Sequence, residues 1–220
     1  TGSTDGTVNI AEEFGAEIHR FKWTNNFAEA RNASLQKAKL KDILVIDADE
    51  ELYQPDVKRF PEVLKEDFDF AALHIRNLSN LPADLVDTSI PNPMEYPHAT
   101  NPLPRLFKNR PDIRYEGRIH EDFPPLSDKA IRTNISIFHY GYSQQDERQA
   151  RRHNRNNHLI SAWLKEETTN PIVHFYQGGV FIANKEYDKA IYHYKQVLEL
   201  PMPSEQHQKF YQMSRFFLAY

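Results

Sequence analysis

The sequence predicts an α/β domain built on a mixed, mainly parallel sheet and followed by an α-helical segment of paired helices. Three observations carry that reading. Ile43-Leu44-Val45-Ile46 is a short run of apolar β-formers that ends in Asp47-Ala48-Asp49-Glu50, as a strand buried on both faces would. Strand-like and helix-like stretches alternate around it, the pattern that favours parallel pairing. After Ser143 the periodicity turns helical. The resulting division is 1–142 for the α/β domain, 143–168 for a linker helix and 169–220 for repeat-like helices.

The 220 residues carry a net charge of −4, are 40% hydrophobic and 12% aromatic, and include no cysteine. That apolar content suffices for a packed core. Without cysteine there are no disulfides, thiolate zinc sites or cysteine nucleophiles. The mildly acidic balance argues against a general nucleic-acid binder. No apolar run approaches the ~18 residues of a membrane span. The expectation is a cytoplasmic protein, with peripheral association at the inner face of a membrane as the alternative.

Thr1-Gly2-Ser3-Thr4-Asp5-Gly6-Thr7 has loop composition, and a helix is expected over Val8 to Phe14 with Thr7 or Asp5 as N-cap. A loop entering a helix can offer backbone N–H groups to an anion. Ala16 to Phe21 reads as a short strand. Phe27 to Lys39 reads as a helix, with Ala28, Arg31, Leu35 and Ala38 at helical spacing. A helix over Pro55 to Glu66 and a strand over Phe70 to Arg76 follow. Six prolines between Pro82 and Pro104 predict a long loop, either a lid or acceptor-binding segment or a plain excursion. Strand resumes at Arg105 to Lys108, and Ile135 to Tyr142 reads as a strand ending at His139. Asp146 to Lys165 should be a helix, basic near its start and apolar at Leu159, Ile160, Trp163 and Leu164. Its basic cluster is either a solvated face or a contact for a phosphate-bearing acceptor. Two antiparallel helices then join near Asn184 to Tyr187, with Gly178 and Ala190 allowing close approach. Met202 to Tyr220 opens another, with Phe210, Met213, Phe217 and Tyr220 on its apolar face. This is the pattern of a tetratricopeptide repeat, of which ~3 are normally needed to bury a continuous core.

The chemistry concentrates in a few places. Asp47 and Asp49 are two apart and share a face in strand geometry. They make a hard oxygen site suited to Mg2+ or Mn2+, or simply a solvated strand-to-turn corner. Arg31 could meet a phosphate through its planar fork, or be a surface arginine on an amphipathic helix. His120, Glu121 and Asp122 are three adjacent titratable groups, any of which could act as a general base in a cleft. His139, at a strand end, is either a hydrogen-bonded structural histidine or a metal ligand.

Taken in order, Asp5 in Thr-Gly-Ser-Thr-Asp-Gly-Thr, Phe27-Ala28-Glu29-Ala30-Arg31-Asn32, Ile46-Asp47-Ala48-Asp49-Glu50, Arg105-Leu106-Phe107 with Gly117-Arg118-Ile119-His120-Glu121, and His139-Tyr140-Gly141-Tyr142 resemble family 2 glycosyltransferases. The likeness is to the branch with C-terminal tetratricopeptide repeats and runs from Thr1 to about Leu200. It implies a GT-A fold, a nucleotide-sugar donor (UDP-linked in the first instance), Mn2+ or Mg2+, and inversion at the anomeric carbon. By that resemblance Asp5 and Arg31 contact the nucleotide, Asp47 faces the uridine and ribose, and Asp49 holds the metal on the diphosphate. Glu121 or Asp122 is the base, and His139 helps hold the metal or diphosphate. The acceptor would be a glycan, lipopolysaccharide or other lipid-linked glycan, or a peptide, and the repeats could bind a protein partner or a second copy. Family members carry a further strand and acid before the position of Thr1, so this stretch alone is expected to bind donor poorly and a longer parent to be active. The competing expectations are a non-catalytic repeat scaffold with a degenerate first domain and a phosphohydrolase with Asp47 as nucleophile. The intact Asp47, Asp49 and Glu121 argue against the first. Glu50-Glu51, where haloacid dehalogenase-like enzymes place a small polar residue, argue against the second.

Overall fold

The computed structural model describes every residue except 1, 79–91, 97, 124–127, 141–145, 203 and 220, and the backbone alone for 146–149 and 206. Two compact units emerge. One comprises Thr1–Lys37, Arg114–Pro125 and His153–Tyr220, and the other Ala38–Ile113 and Leu126–Arg152.

The second unit is a five-stranded mixed sheet. Its strands are β1 (Asp42–Leu44), β2 (Glu50–Leu52), β3 (Phe70–Leu78), β4 (His98–Lys108) and β5 (Ala130–His139), in the order β1-β4-β3-β5-β2. The mixed character agrees with the sequence reading, but antiparallel pairing prevails: β3–β5 is parallel, while β1–β4, β3–β4 and β2–β5 are antiparallel. Among the described residues the apolar run at 43–46 lies at an edge of the sheet. Ile43 is buried and Ile46 is 41% exposed. The sheet curls, because the Arg105 side chain on β4 reaches Glu50 on β2 across the intervening strands.

Ala71, Leu73 and Ile75 of β3 pack with Leu106, Ile135 and Ile137 of its neighbours and with Val63 and Phe68. The expected helix at 55–66 is a 3-10 turn (Gln54–Arg59) leading into one turn of α-helix, α3 (Phe60–Val63). The proline-rich stretch is shorter as a loop than expected, since β4 begins at His98. Pro102 and Pro104, which cannot donate to a ladder, are tolerated because β1 pairs only with residues 106–108 and the β3 register shifts beside Pro104. The remainder of that loop, 79–91, and the Gly141-Tyr142 end of the last motif lie outside the described residues.

The first unit is helical. It contains α1 (Thr7–Glu13), α2 (Phe27–Leu35), α5 (Pro171–Ala183), α6 (Tyr187–Glu199), α7 (Gln208–Ala219) and most of α4 (Asp146–Glu166). Ala16 to Phe21 forms no strand and stays largely exposed, because no neighbouring strand among the described residues takes up its backbone groups. Leu159, Ile160 and Trp163 of α4 build a core with Val173 and Val180 of α5 and with Ile119, and Trp23 and Phe27 pack on it. Asn170 caps α5 by accepting the Ile172 N–H. Gly178 is where α5 meets α6: a Cβ there would lie 2.8 Å from the Tyr194 ring. On α7, Phe210 is buried as expected, while Met213 and Phe217 stay partly exposed at 44% and 39%. Tyr220 is outside the described residues.

Candidate functional site

In the sheet unit the acidic motif is a braced turn. After β1, the Val45 N–H donates to the Arg105 carbonyl (2.8 Å), and the Glu50 N–H closes a turn on the Asp47 carbonyl (3.0 Å). Strand β2 then begins, with Glu50 opposite His139 of β5. That register brings Asp49 to His139: Oδ2 lies 3.2 Å from Nε2, and the Tyr140 N–H donates to the Asp49 carbonyl (3.0 Å). The other ring nitrogen, Nδ1, lies 2.8 Å from Asn77 Oδ1 on the adjacent β3. With the amide in that orientation Nδ1 carries the proton, so a neutral ring turns a lone pair toward the carboxylate. Two acceptors facing each other call for a proton or a cation between them. In the ion-paired form the His139 bond, helped by its charge, holds Asp49 below the usual carboxylate range against the opposing effect of burial.

Asp49 and His139 are the residues here that could hold a divalent cation. An imidazole and a carboxylate converge, the latter 40% exposed. Among the described residues no group of three or more His, Asp or Glu could hold a metal.

Arg105 organises the same turn from below. Its Nη2 donates to Glu50 Oε1 (2.5 Å) and Asp47 Oδ2 (3.2 Å), while Glu50 Oε2 accepts the Asp47 N–H (2.8 Å). The Glu50 side chain is 2% exposed and that of Arg105 11%. Burial raises the Glu50 pKa, with the Asp47 N–H and the Arg105 charge working against that rise. Asp47 is therefore held by Arg105, and its backbone by Glu50.

In the helical unit, Arg31 of α2 pairs with Glu121: Nε to Oε1 is 2.5 Å, with the Glu121 side chain 12% exposed. The guanidinium also lies over the Tyr115 ring, 5.4 Å from its centre. Asn32, next to Arg31, exchanges two bonds with the Tyr115 backbone, both 2.9 Å, so α2 fixes the 114–123 loop. The loop closes on itself through Glu116 and Asp122, whose backbones exchange bonds of 2.8 and 3.1 Å. Gly117 sits at φ +92° against Trp163, and His120 at φ +54° stacks on Tyr176, ring centres 4.2 Å apart. Asp122 is exposed and caps the Phe123 N–H (2.9 Å). Asp5 is exposed at the start of α1, accepting from Thr7 N–H (3.1 Å) and Oγ1 (2.5 Å); Gly6, not Asp5 or Thr7, stands at the cap position. The Thr7 bonds lower the Asp5 pKa.

The structure thus joins Asp49 with His139 and Arg31 with Glu121, each pair across 90 residues of sequence. Sequence reasoning missed Glu50 and Asn77 as partners and Arg105 as a clamp. A signal for Arg105 existed: an arginine inside the apolar Arg-Leu-Phe run has to be buried, and a buried charge needs an acid.

The glycosyl transferase family 2 model matches residues 1–112, half of the chain and the half that holds Asp5, Arg31, Asp47 and Asp49. The chain belongs to glycosyltransferase family 2. Its mixed α/β sheet agrees with the GT-A type of fold. The chain is also similar to a TPR repeat-containing protein of Synechococcus elongatus, 28% identical over 97% of the chain and 53% of the relative. The SPbeta prophage-derived glycosyltransferase SunS of Bacillus subtilis and the glycosyltransferase SunS of Bacillus phage SPbeta are each 30% identical over 80% of the chain and 40% of the relative. The chain therefore spans about half the length of the curated relatives it matches. Among its described residues no helix is long and apolar enough to cross a membrane.

Proposed function

We propose that the protein is an inverting, metal-dependent glycosyltransferase that moves a sugar from a nucleotide-sugar donor, UDP-linked in the first instance, to a glycan, lipid-linked or peptide acceptor. The observation that carries this reading is the Asp49–His139 pair, set at a strand end by the Glu50–His139 register and lying in a family 2 chain. Asp49 and His139 would hold Mn2+ or Mg2+, which when bound offsets the charge that develops on a departing diphosphate. Asp47, kept in place by Arg105, would face the nucleoside, and Asp5 would touch the nucleotide. Glu121 would take the proton from the acceptor hydroxyl, and Arg31 holds the carboxylate that does so. Asp122 is the second candidate for that base.

Calorimetry with Mn2+ and UDP tests the reading. The protein at its full length should bind Mn2+ in the presence of UDP, and Asp49→Ala and His139→Ala should each weaken Mn2+ at least ~10-fold, the usual cost of losing a ligand or its support. Unchanged Mn2+ affinity in both variants, or UDP-sugar hydrolysis that survives Asp49→Ala at full rate, would remove the metal from this pair. A full-length protein that binds neither UDP nor Mn2+ would favour the scaffold role.

A further inference from the structure

The helical unit contains a cavity of about 490 Å3 that the roles above leave unassigned. It lies among the start of α2, the 115–123 loop, the α4–α5 junction and the beginning of α7. Its size falls within the ~300–1,000 Å3 of small-molecule sites. Its walls are mixed. Tyr115, Trp163, Tyr176 and Phe210 give ring surfaces, while Asn26, Asn32 and Asn170 give amides. Flat apolar faces beside hydrogen-bonding edges match a sugar ring, whose C–H faces pack on aromatics while its hydroxyls bond the polar groups.

The charge is lopsided. Glu29, Glu116, Asp122 and Glu167 line the cavity, against Lys209 as the ammonium. None of these four carboxylates forms an ion pair among the described residues. Glu29 is held by Thr24 and Asn26, and Glu167 by Asn170, all neutral donors. The two imidazoles present, His120 and His207, are shifted toward the neutral form by burial, although His120 keeps an edge open to water. Such a wall repels a diphosphate and attracts a cation. A peptide that binds by strand addition would need a sheet edge to pair with, and the described residues of this unit supply only the isolated Glu116–Asp122 bridge.

We infer that this cavity is the acceptor subsite and that it takes a sugar residue bearing a free, protonated amino group. The inference rests on the glycosyltransferase reading, since Asp122 and the neighbour of Glu121, His120, line the cavity. It gives the linker segment, through Trp163 and Glu167, and the repeat-like segment, through Asn170, Tyr176 and Phe210, a part in choosing the acceptor.

Calorimetry with β1,4-linked diglucosamine, its N-acetylated counterpart, cellobiose and tri-lysine decides the matter. Diglucosamine should bind, with the acetylated and neutral disaccharides about tenfold weaker or more, a difference of the size a charged hydrogen bond supplies. Glu167→Gln should weaken diglucosamine about 5- to 10-fold at an unchanged melting temperature, and Lys209→Gln should tighten it, which no loss of folding can mimic. No binding of diglucosamine, equal binding of the three disaccharides, or tri-lysine binding as tightly as diglucosamine overturns the assignment. UDP-sugar hydrolysis measured alongside separates the two readings. Intact hydrolysis without diglucosamine binding sinks the acceptor subsite alone, whereas loss of hydrolysis and of Mn2+ binding in wild type sinks the glycosyltransferase reading beneath it.

Discussion

Glu121 and Asp122 are neighbours in sequence with opposite surroundings. Glu121 is tied to Arg31 and nearly enclosed, and Asp122 is exposed. A general base has to be aimed, and a guanidinium on one carboxylate oxygen aims it. Glu121→Gln is therefore expected to lower the transfer rate about 10²- to 10⁴-fold, and Asp122→Asn to act chiefly on acceptor KM. Arg31→Met should lower kcat while leaving Mn2+ affinity unchanged. Steady-state kinetics with the protein's own donor checks all three; a larger kcat loss in Asp122→Asn than in Glu121→Gln would reverse the assignment. The identities of Asp49 and His139 were legible because each closes a recognisable run, the apolar run before Asp47 and the strand that ends at His139. Their pairing was legible only through the motif resemblance, since contact across 90 residues is a property of register. The Arg31–Glu121 pair was not legible at all, since nothing in the spacing joins α2 to a loop 90 residues further along the sequence.

Among the elements, the helices were read more accurately than the strands. Helices α4, α5 and α6 fall close to their expected bounds, because periodicity and caps are local, as with Asn170 before Pro171. Strand pairing is non-local. The run at 43–46 reads as a strand buried on both faces because it is apolar, yet among the described residues it lies at an edge, with Ile46 exposed. What makes the turn after it stable is Arg105, buried with Glu50 and bonded to the part-exposed Asp47. Removing one member of such a buried group leaves an uncompensated charge, at a cost of roughly 3–5 kcal/mol. Arg105→Leu should thus lower the denaturation midpoint strongly and weaken Mn2+ through the loosened turn. The double variant Arg105→Leu/Glu50→Leu should recover part of the stability, since no charge is then stranded. Urea denaturation of the two single variants and the double measures the coupling. Losses that simply add would show that Arg105 and Glu50 act independently.

At the scale of the whole chain, each compact unit is assembled from separated segments, so the helical unit contains residues from both ends of the sequence and the 114–123 loop between β4 and β5. Composition and periodicity describe segments, which is why the α/β class and the helix pair were legible while this interleaving was not. The helix pair also sets a condition on the stability of the chain. Between α5 and α6, His174 and His193 are 4% and 8% exposed, with their Nδ1 atoms 2.9 Å apart. His174 Nε2 is 2.9 Å from the Thr168 carbonyl and so donates to it. In a neutral ring His174 Nδ1 is then the acceptor, and His193 Nδ1 donates to it. A further proton on His174 would set two N–H groups head to head. Burial first, and the charge of His174 second, push His193 down to about 4. The folded pKa lies below the ~6.5 of an unfolded histidine. As pH falls the unfolded chain takes the proton first, so this contribution is complete above about pH 6.5 and is lost progressively toward pH 4. Its size is at most about 2–3 kcal/mol. His193→Gln keeps an N–H donor toward His174 and cannot take up charge. Thermal melts followed by circular dichroism at pH 7.5, 6 and 5 should therefore show wild type losing more melting temperature than His193→Gln across that range. Parallel pH curves for the two proteins would mean that the pair is not held neutral, and that acid unfolding of this chain begins elsewhere.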